Sequence, residues 1–381
     1  MQPGKTLAAM PSSGIRDTFN RIASMPDVIN LAPGEPNFPT PPHIVTAASR
    51  AIEAGHTKYV SNAGLLELRE ALCCKLKADN GITVDRDEIV VTHGAMGALY
   101  SAFVGLIEPG DEVLLPDPAW PNFTMMATLR SAVIRSYPLT AENGFLPDID
   151  ELEALVGPAT KLLLINTPLN PIGSVIPRAR MEALLDFVAA HDLWIVCDEA
   201  YEALTYTNNF VSAASLGHRD RLIGVYSFSK SYAMTGWRMG YSVWPKSLID
   251  GAVRLAVNCH SCVNASAQYA GIAALEGPQD AVRDMVSAFD ARRRVIVDRL
   301  NGLPGVRCRN PVGAFYAFPN ITGTGMDART LQNRLLEEAG VATVAGTSFG
   351  AMGEGFVRFS YANSVENVER ALDRFATLLS G

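Results

Sequence analysis

Three short segments carry side chains able to share one reaction: Ser227-Phe-Ser-Lys230, Asp198-Glu-Ala-Tyr201 and Asn166-Thr-Pro-Leu-Asn170. Each directly follows an aliphatic run, LIGVY (222–226), LWIVC (193–197) and KLLLI (161–165) respectively. An amine held out of water gives up its charge readily and becomes both nucleophile and base. The three segments thus bring an amine with a hydroxyl, a carboxylate with a phenol, and an amide to one edge. A fourth segment, Thr92-His-Gly94-Ala95-Met96-Gly97, follows EIVV and opens a helical pattern. Its small residues let bare N–H groups approach an anion, and the helix dipole favours negative charge there. Arg238, eight residues beyond Lys230, can add a forked guanidinium to the same anion.

Taken singly, each feature has an ordinary explanation. The glycine-rich segment reads equally as a plain turn, Asp198-Glu199 as a helix N-cap, Lys230 as a solvated lysine, Asn170-Pro171 as a turn and Trp120 as a core aromatic. Their coincidence at the ends of successive strands points to a site, because ligands of an open parallel sheet bind beyond its carboxyl edge.

The elements that must hold these residues are legible as an alternation. Apolar runs at 88–91, 112–115, 133–137, 161–165, 193–197, 222–226 and 241–244 read mostly as buried strands of a parallel sheet. Helical patterns lie between them, such as Met181, Leu184, Leu185 and Val188, spaced to present one apolar stripe. This predicts an α/β fold with a mostly parallel seven-stranded sheet covered by helices on both faces. Beyond residue 280 come a long charged helix, a Gly/Pro-rich stretch, the strands GAFYAF and GFVRFSYA, and a final amphipathic helix. These read as a smaller α+β domain shared with the N-terminal segment. The expected divisions are 1–40, 41–280 and 281–381, with the proline-rich NFPTPPHI (37–44) as linker.

Composition sets the bounds. The 381 residues are 48% apolar and carry a net charge of −7, from 39 acidic and 32 basic side chains. That is enough apolar material for a large core, and the charge argues against general affinity for nucleic acid or an acidic membrane surface. No signal-peptide core and no membrane span is expected, which suggests a cytoplasmic protein. Cys259-x-x-Cys262, with His260 between, lacks a second pair to complete four ligands, so no metal is expected. No strand is followed by GxGxxG with an acidic residue about 20 positions on, which disfavours a nicotinamide dehydrogenase.

Several motifs in unbroken order resemble the fold-type I pyridoxal-phosphate aminotransferases, in the class I aspartate and aromatic group. They are LAPGEPNF (31–38), KYVSNAGLLELREAL (58–72), GDEVLLPDPAWPNF (110–123), NTPLNPIG (166–173), VCDEAYEAL (196–204), SFSKSYAMTGWRMGY (227–241), GAFY (313–316) and FVRFSYA (356–362). The similarity runs from about Asn30 to Leu378. It implies that Lys230 carries pyridoxal 5'-phosphate as a Schiff base and that Asp198 faces the pyridine nitrogen. Tyr201 and Asn170 would bond the ring's O3', and Trp120 would stack on the ring. Ser227, Arg238 and the amides of Ala95 and Met96 would hold the phosphate. Tyr59 resembles the tyrosine that reaches a phosphate in the other subunit, implying a homodimer with shared active sites. Arg358 resembles the arginine that grips the substrate α-carboxylate, helped by Asn170, with Gly34 closing over it and Trp120 alongside. The implied reaction moves an amino group between an amino acid and a 2-oxo acid by a ping-pong route.

Two positions depart from the family pattern. Ile172 replaces a threonine and leaves Asn170 in place. Met96 stands where one aspartate-specific bacterial branch has a lysine for the distal carboxylate, which opens the choice to apolar or aromatic substrates, while a partner-subunit arginine could still serve aspartate; 2-oxoglutarate, pyruvate or oxaloacetate would be the acceptor. A lyase or decarboxylase on the same fold would share the early steps. The sensor half of a transcription regulator would need a DNA-binding segment ahead of the first motif, near residue 31, where no room is expected for one.

Overall fold

The computed structural model describes residues 4–207 and 209–380. In chain order its strands are β1 (Ile29–Asn30), β2 (Ile89–Thr92), β3 (Glu112–Asp117), β4 (Val133–Pro138), β5 (Thr160–Asn166), β6 (Trp194–Asp198), β7 (Leu222–Ser227), β8 (Gly240–Val243), β9 (Tyr316–Ala317), β10 (Val341–Ala342), β11 (Val344–Ala345) and β12 (Val357–Ser360). Among the described residues, seven of them form the main sheet in the order β2-β8-β7-β6-β5-β3-β4. Strand β8 runs antiparallel to both its neighbours, while the pairings from β7 through to β4 are parallel.

Side-chain alternation divides the apolar runs between two cores. Val91, Leu114, Leu163, Ile165, Ile195 and Tyr226 face one side, with the helices Pro42–Glu53, Leu66–Asn80, Arg178–Ala190 and Ala265–Glu276. Val90, Val113, Leu115, Leu162, Leu164, Val196 and Val225 face the other, with the helices Gly94–Leu106, Asn122–Leu129 and Ile249–His260. Burial on both faces is why these strands are continuously apolar and not half polar. Pro42 opens its helix, a position where a missing N–H is harmless.

A third core gathers Ile29 and Leu31 with the long helix Asp280–Asn301, the helix Ala328–Glu337, the last helix Val365–Ser380 and the short strands β9 to β12. There β1 pairs in parallel with β10, so the N-terminal segment is stitched into the C-terminal third. The sheet β11-β12-β9 is antiparallel, and Val357, Phe359 and Tyr361 all point into this core. No helix of the described residues is long and apolar enough to cross a membrane.

Candidate active site

The carboxyl ends of β5, β6 and β7 deliver Asn166, Asp198 and Ser227 to adjacent positions on one edge. Ser227 Oγ accepts from Ser229 N at 3.1 Å, capping the short helix Phe228–Ser231 that carries Lys230. Asn166 donates through Nδ2 to the backbone oxygen of Asp198 at 3.0 Å and accepts through Oδ1 from Asn170 N at 3.0 Å. One strand-end amide thereby sets the paths of both loops.

These residues line a cavity of about 210 Å³. Lys230, Asp198, Tyr201, Asn170, Trp120, Ala95, Met96, Ser227, Arg238, Gly34 and Arg358 all border it. Tyr59 does not; it is 87% exposed. Sequence reasoning assigned no role to Tyr316 or Ile15, which also reach the cavity. Tyr316 was visible only as the last letter of GAFY. Ile15 lies ahead of every motif, in the helix Gly14–Ile22.

Lys230 Nζ donates to Gly34 O at 2.5 Å. Lys230 is half-buried and its amine is surrounded by protein, so its charge is poorly hydrated. Burial therefore pulls its pKa down to about 8; Glu35 and Asp198 oppose the shift, while Arg238 and Arg358 reinforce it. Asp198, 4% exposed, is pushed up to about 7 by burial, against the opposing pull of the Ala200 N–H and Lys230. Its Oδ1 accepts that N–H at 3.1 Å. Glu199, next in sequence, does not line this cavity; it accepts from Ser212 Oγ at 2.5 Å and Ala213 N at 2.8 Å.

At another part of the cavity lies an anion cradle. The helix Gly94–Leu106 begins there with no side-chain cap on its N-terminus, leaving N–H groups free for a ligand. Gly94 has φ +67°, and a Cβ on it would stand 2.8 Å from Arg238 Nη2. A Cβ on Gly240 would fall 2.8 Å from Ala95 N. The two glycines keep open the approach of guanidinium and backbone amides to one another.

Arg358, on β12, is 1% exposed, not the surface arginine of a weak ion pair that its strand pattern alone suggests. Nη1 donates to Asn170 Oδ1 at 2.9 Å and Nη2 to Ala32 O at 2.5 Å. Nε is buried without a partner among the described residues. The guanidinium carbon lies 4.6 Å from the Tyr316 ring centre and 4.8 Å from that of Phe349, and the Tyr316 hydroxyl is 2.7 Å from that of Tyr201. Burial lowers the Arg358 pKa, with Tyr316 and Tyr201 opposing, but a guanidinium remains cationic at any physiological pH.

A larger cavity, about 450 Å³, is bordered by the Lys75–Glu202 pair and by Ser231 and Tyr241. It carries two unpartnered hydroxyls, on Ser231 and Tyr241, but its amine, on Lys75, is already paired with Glu202 at 2.5 Å. The smaller cavity has the chemistry: an amine of lowered pKa, a buried carboxylate, a helix N-terminus with Arg238 beside it that could take an anion, and the buried guanidinium of Arg358.

Comparison with known proteins gives the family. The family model for aminotransferase class I and II matches residues 26–375. An aspartate aminotransferase of Pyrococcus horikoshii is 40% identical over 371 residues, 97% of this chain and 95% of the relative. An aromatic-amino-acid aminotransferase 2 of Thermococcus litoralis is 38% identical over 374 residues, 96% of this chain and 95% of the relative. The solved structure of aspartate aminotransferase from Thermus thermophilus with maleate superposes with a TM-score of 0.94 at 35% identity, covering 99% of this chain and all 100% of that one. Matched along most of its length in both sequence and fold, the chain belongs to the class I and II aminotransferases.

Proposed function

We propose that the cavity holds pyridoxal 5'-phosphate attached through Lys230, and that the enzyme passes an amino group from an L-amino acid to a 2-oxo acid in two half-reactions. The observation that carries the reading is the presence of a depressed amine and a buried carboxylate in one cavity with an anion cradle. The donor set fits the coenzyme: Arg238, Ser227 and the amides of Ala95 and Met96 would take the phosphate, and the glycines at 94 and 240 keep that cradle open. When bound, the coenzyme supplies an electron sink for the pair left at the substrate Cα.

The remaining work falls to the chain. Asp198 would keep a proton on the ring nitrogen, and that N–H cation would in turn favour its ionised form. Tyr201 and Asn170 would orient the ring through O3', with Trp120 against its face. Arg358, on the cavity with Asn170 beside it, would fix the substrate α-carboxylate. The Lys230 amine, neutral over part of the working range, would take the proton from the substrate Cα, an oriented acid–base transfer. Tyr59, exposed and absent from its own chain's cavity, would serve the matching site of a second copy, giving a homodimer.

The depressed amine has a consequence for coenzyme uptake. An ordinary lysine becomes neutral through pH 10.5, whereas Lys230 does so through about 8. The nucleophilic form is the deprotonated one, so uptake should accelerate as pH rises through 8 and level off above about pH 9. Stopped-flow absorbance of the coenzyme against pH checks this; a rate still climbing beyond pH 10 would mean an unperturbed amine.

Substrate side chains would meet Ile15, Met96 and Trp120. Among the described residues the cations on the cavity are Lys230, Arg238 and Arg358, each with a role already. Neutral and aromatic donors should therefore be accepted, while use of aspartate would depend on a cation supplied by the second copy. Comparing kcat/KM across donors tests that point, and incubation of the loaded enzyme with one donor and no acceptor tests the reaction class. The expected result is one equivalent of 2-oxo acid per chain and then a halt; continuous release of pyruvate would make the enzyme a lyase.

A further inference from the structure

We infer that Asp117 is a positioning residue that binds the Trp120 wall of the cavity to the Arg358 wall and thereby holds Phe349 against the guanidinium. The inference rests on the reading of Arg358 as the carboxylate anchor and adds a residue to it.

Asp117 ends β3, three positions before Trp120. Across the cavity edge lies the segment Gly346–Gly353, which precedes β12. Asp117 Oδ2 accepts from Ala351 N and Oδ1 from Met352 N, both at 3.1 Å. Two residues after Asp117, Ala119 N donates to Phe349 O at 2.8 Å. One turn thus grips the segment by a side chain and by its backbone, on both sides of Gly350.

Gly350 is the residue that permits this approach. Its φ is +136°, a conformation that L side chains rarely adopt, and a Cβ there would stand 2.0 Å from Asp117 Oδ1. Asp117 has no cationic partner within salt-bridge distance among the described residues, so its charge is directed at two backbone N–H groups. Such charge-assisted bonds are stronger than neutral ones. Phe349, immediately before the glycine, is 4% exposed, and its ring centre lies 4.8 Å from the Arg358 guanidinium carbon. Tyr316 supplies the other ring. Release of the segment would remove one of the two rings and leave the guanidinium held by Tyr316, Asn170 and Ala32 alone, with a looser orientation toward the substrate.

Asp117→Asn is the discriminating variant, because an amide has one acceptor oxygen and would set its NH2 against the second N–H. Asp117→Ala removes both acceptors. With several amino donors, each variant should raise KM about tenfold by a similar factor for all, since the α-carboxylate is common to them, while kcat stays within about twofold. Coenzyme affinity should hold. In an Arg358→Ala background, Asp117→Asn should change kcat/KM by less than about twofold. Unchanged KM overturns the inference. So does an equal effect in both backgrounds, or a KM rise that appears only with loss of coenzyme. A wild-type enzyme without any transamination would instead remove the reading beneath it, and the inference would fall with that reading.

Discussion

Lys230→Ala should lower turnover by more than about 10⁴-fold while leaving the protein folded. The side chain lies on the four-residue helix Phe228–Ser231, which is capped by Ser227 and not by the lysine. Its amine has one bond, to Gly34 O, and burial already disfavours its charge. Removing it therefore relieves a desolvated cation and takes little from the packing. The anion cradle does not involve the lysine, so the coenzyme should still bind, without a covalent link. Steady-state kinetics and a thermal melt measured together check both halves. Full activity in the variant would show that another group removes the proton, and loss of the fold would show that Lys230 is structural.

The second large effect belongs to Arg358. Arg358→Ala should reduce kcat/KM by about 10²- to 10³-fold, the loss expected when one partner of a buried, hydrogen-bonded charge pair is removed. Most of it should appear in KM, because the α-carboxylate is gripped alike before and during the reaction. Arg358→Lys should recover little. A lysine is a point charge without a fork, and it cannot reach Asn170 Oδ1 and Ala32 O while stacking beside Tyr316 and Phe349. Kinetics with several donors would separate the cases: a variant with normal KM would exclude Arg358 from substrate binding.

Much of the architecture was readable because β strands buried on both faces have little choice of residue. The runs ending in Asn166, Asp198 and Ser227 had to be continuously apolar, and the first polar residue after each marks where the strand leaves the core. The single reversed strand, β8, was not separable from the rest, since a buried antiparallel strand has the same composition as a parallel one. Arg358 shows a different limit. Alternation placed it opposite Val357, Phe359 and Tyr361, but whether that opposite face meets water or a cavity depends on Phe349 and Tyr316, which approach from other segments. The Tyr201–Tyr316 contact joins residues 115 positions apart, and the grip of Asp117 on Ala351 and Met352 spans more than 230. Neither leaves a local pattern. Only Gly350, between Phe349 and that pair of N–H groups, hints that the backbone must come close to something there.

The covalent link at Lys230 is open to direct measurement. The protein would be loaded with pyridoxal 5'-phosphate, reduced with borohydride, digested and mapped by mass. One coenzyme per chain on the peptide containing Lys230 is the expected result. Label on a different lysine, or none after loading, would contradict it.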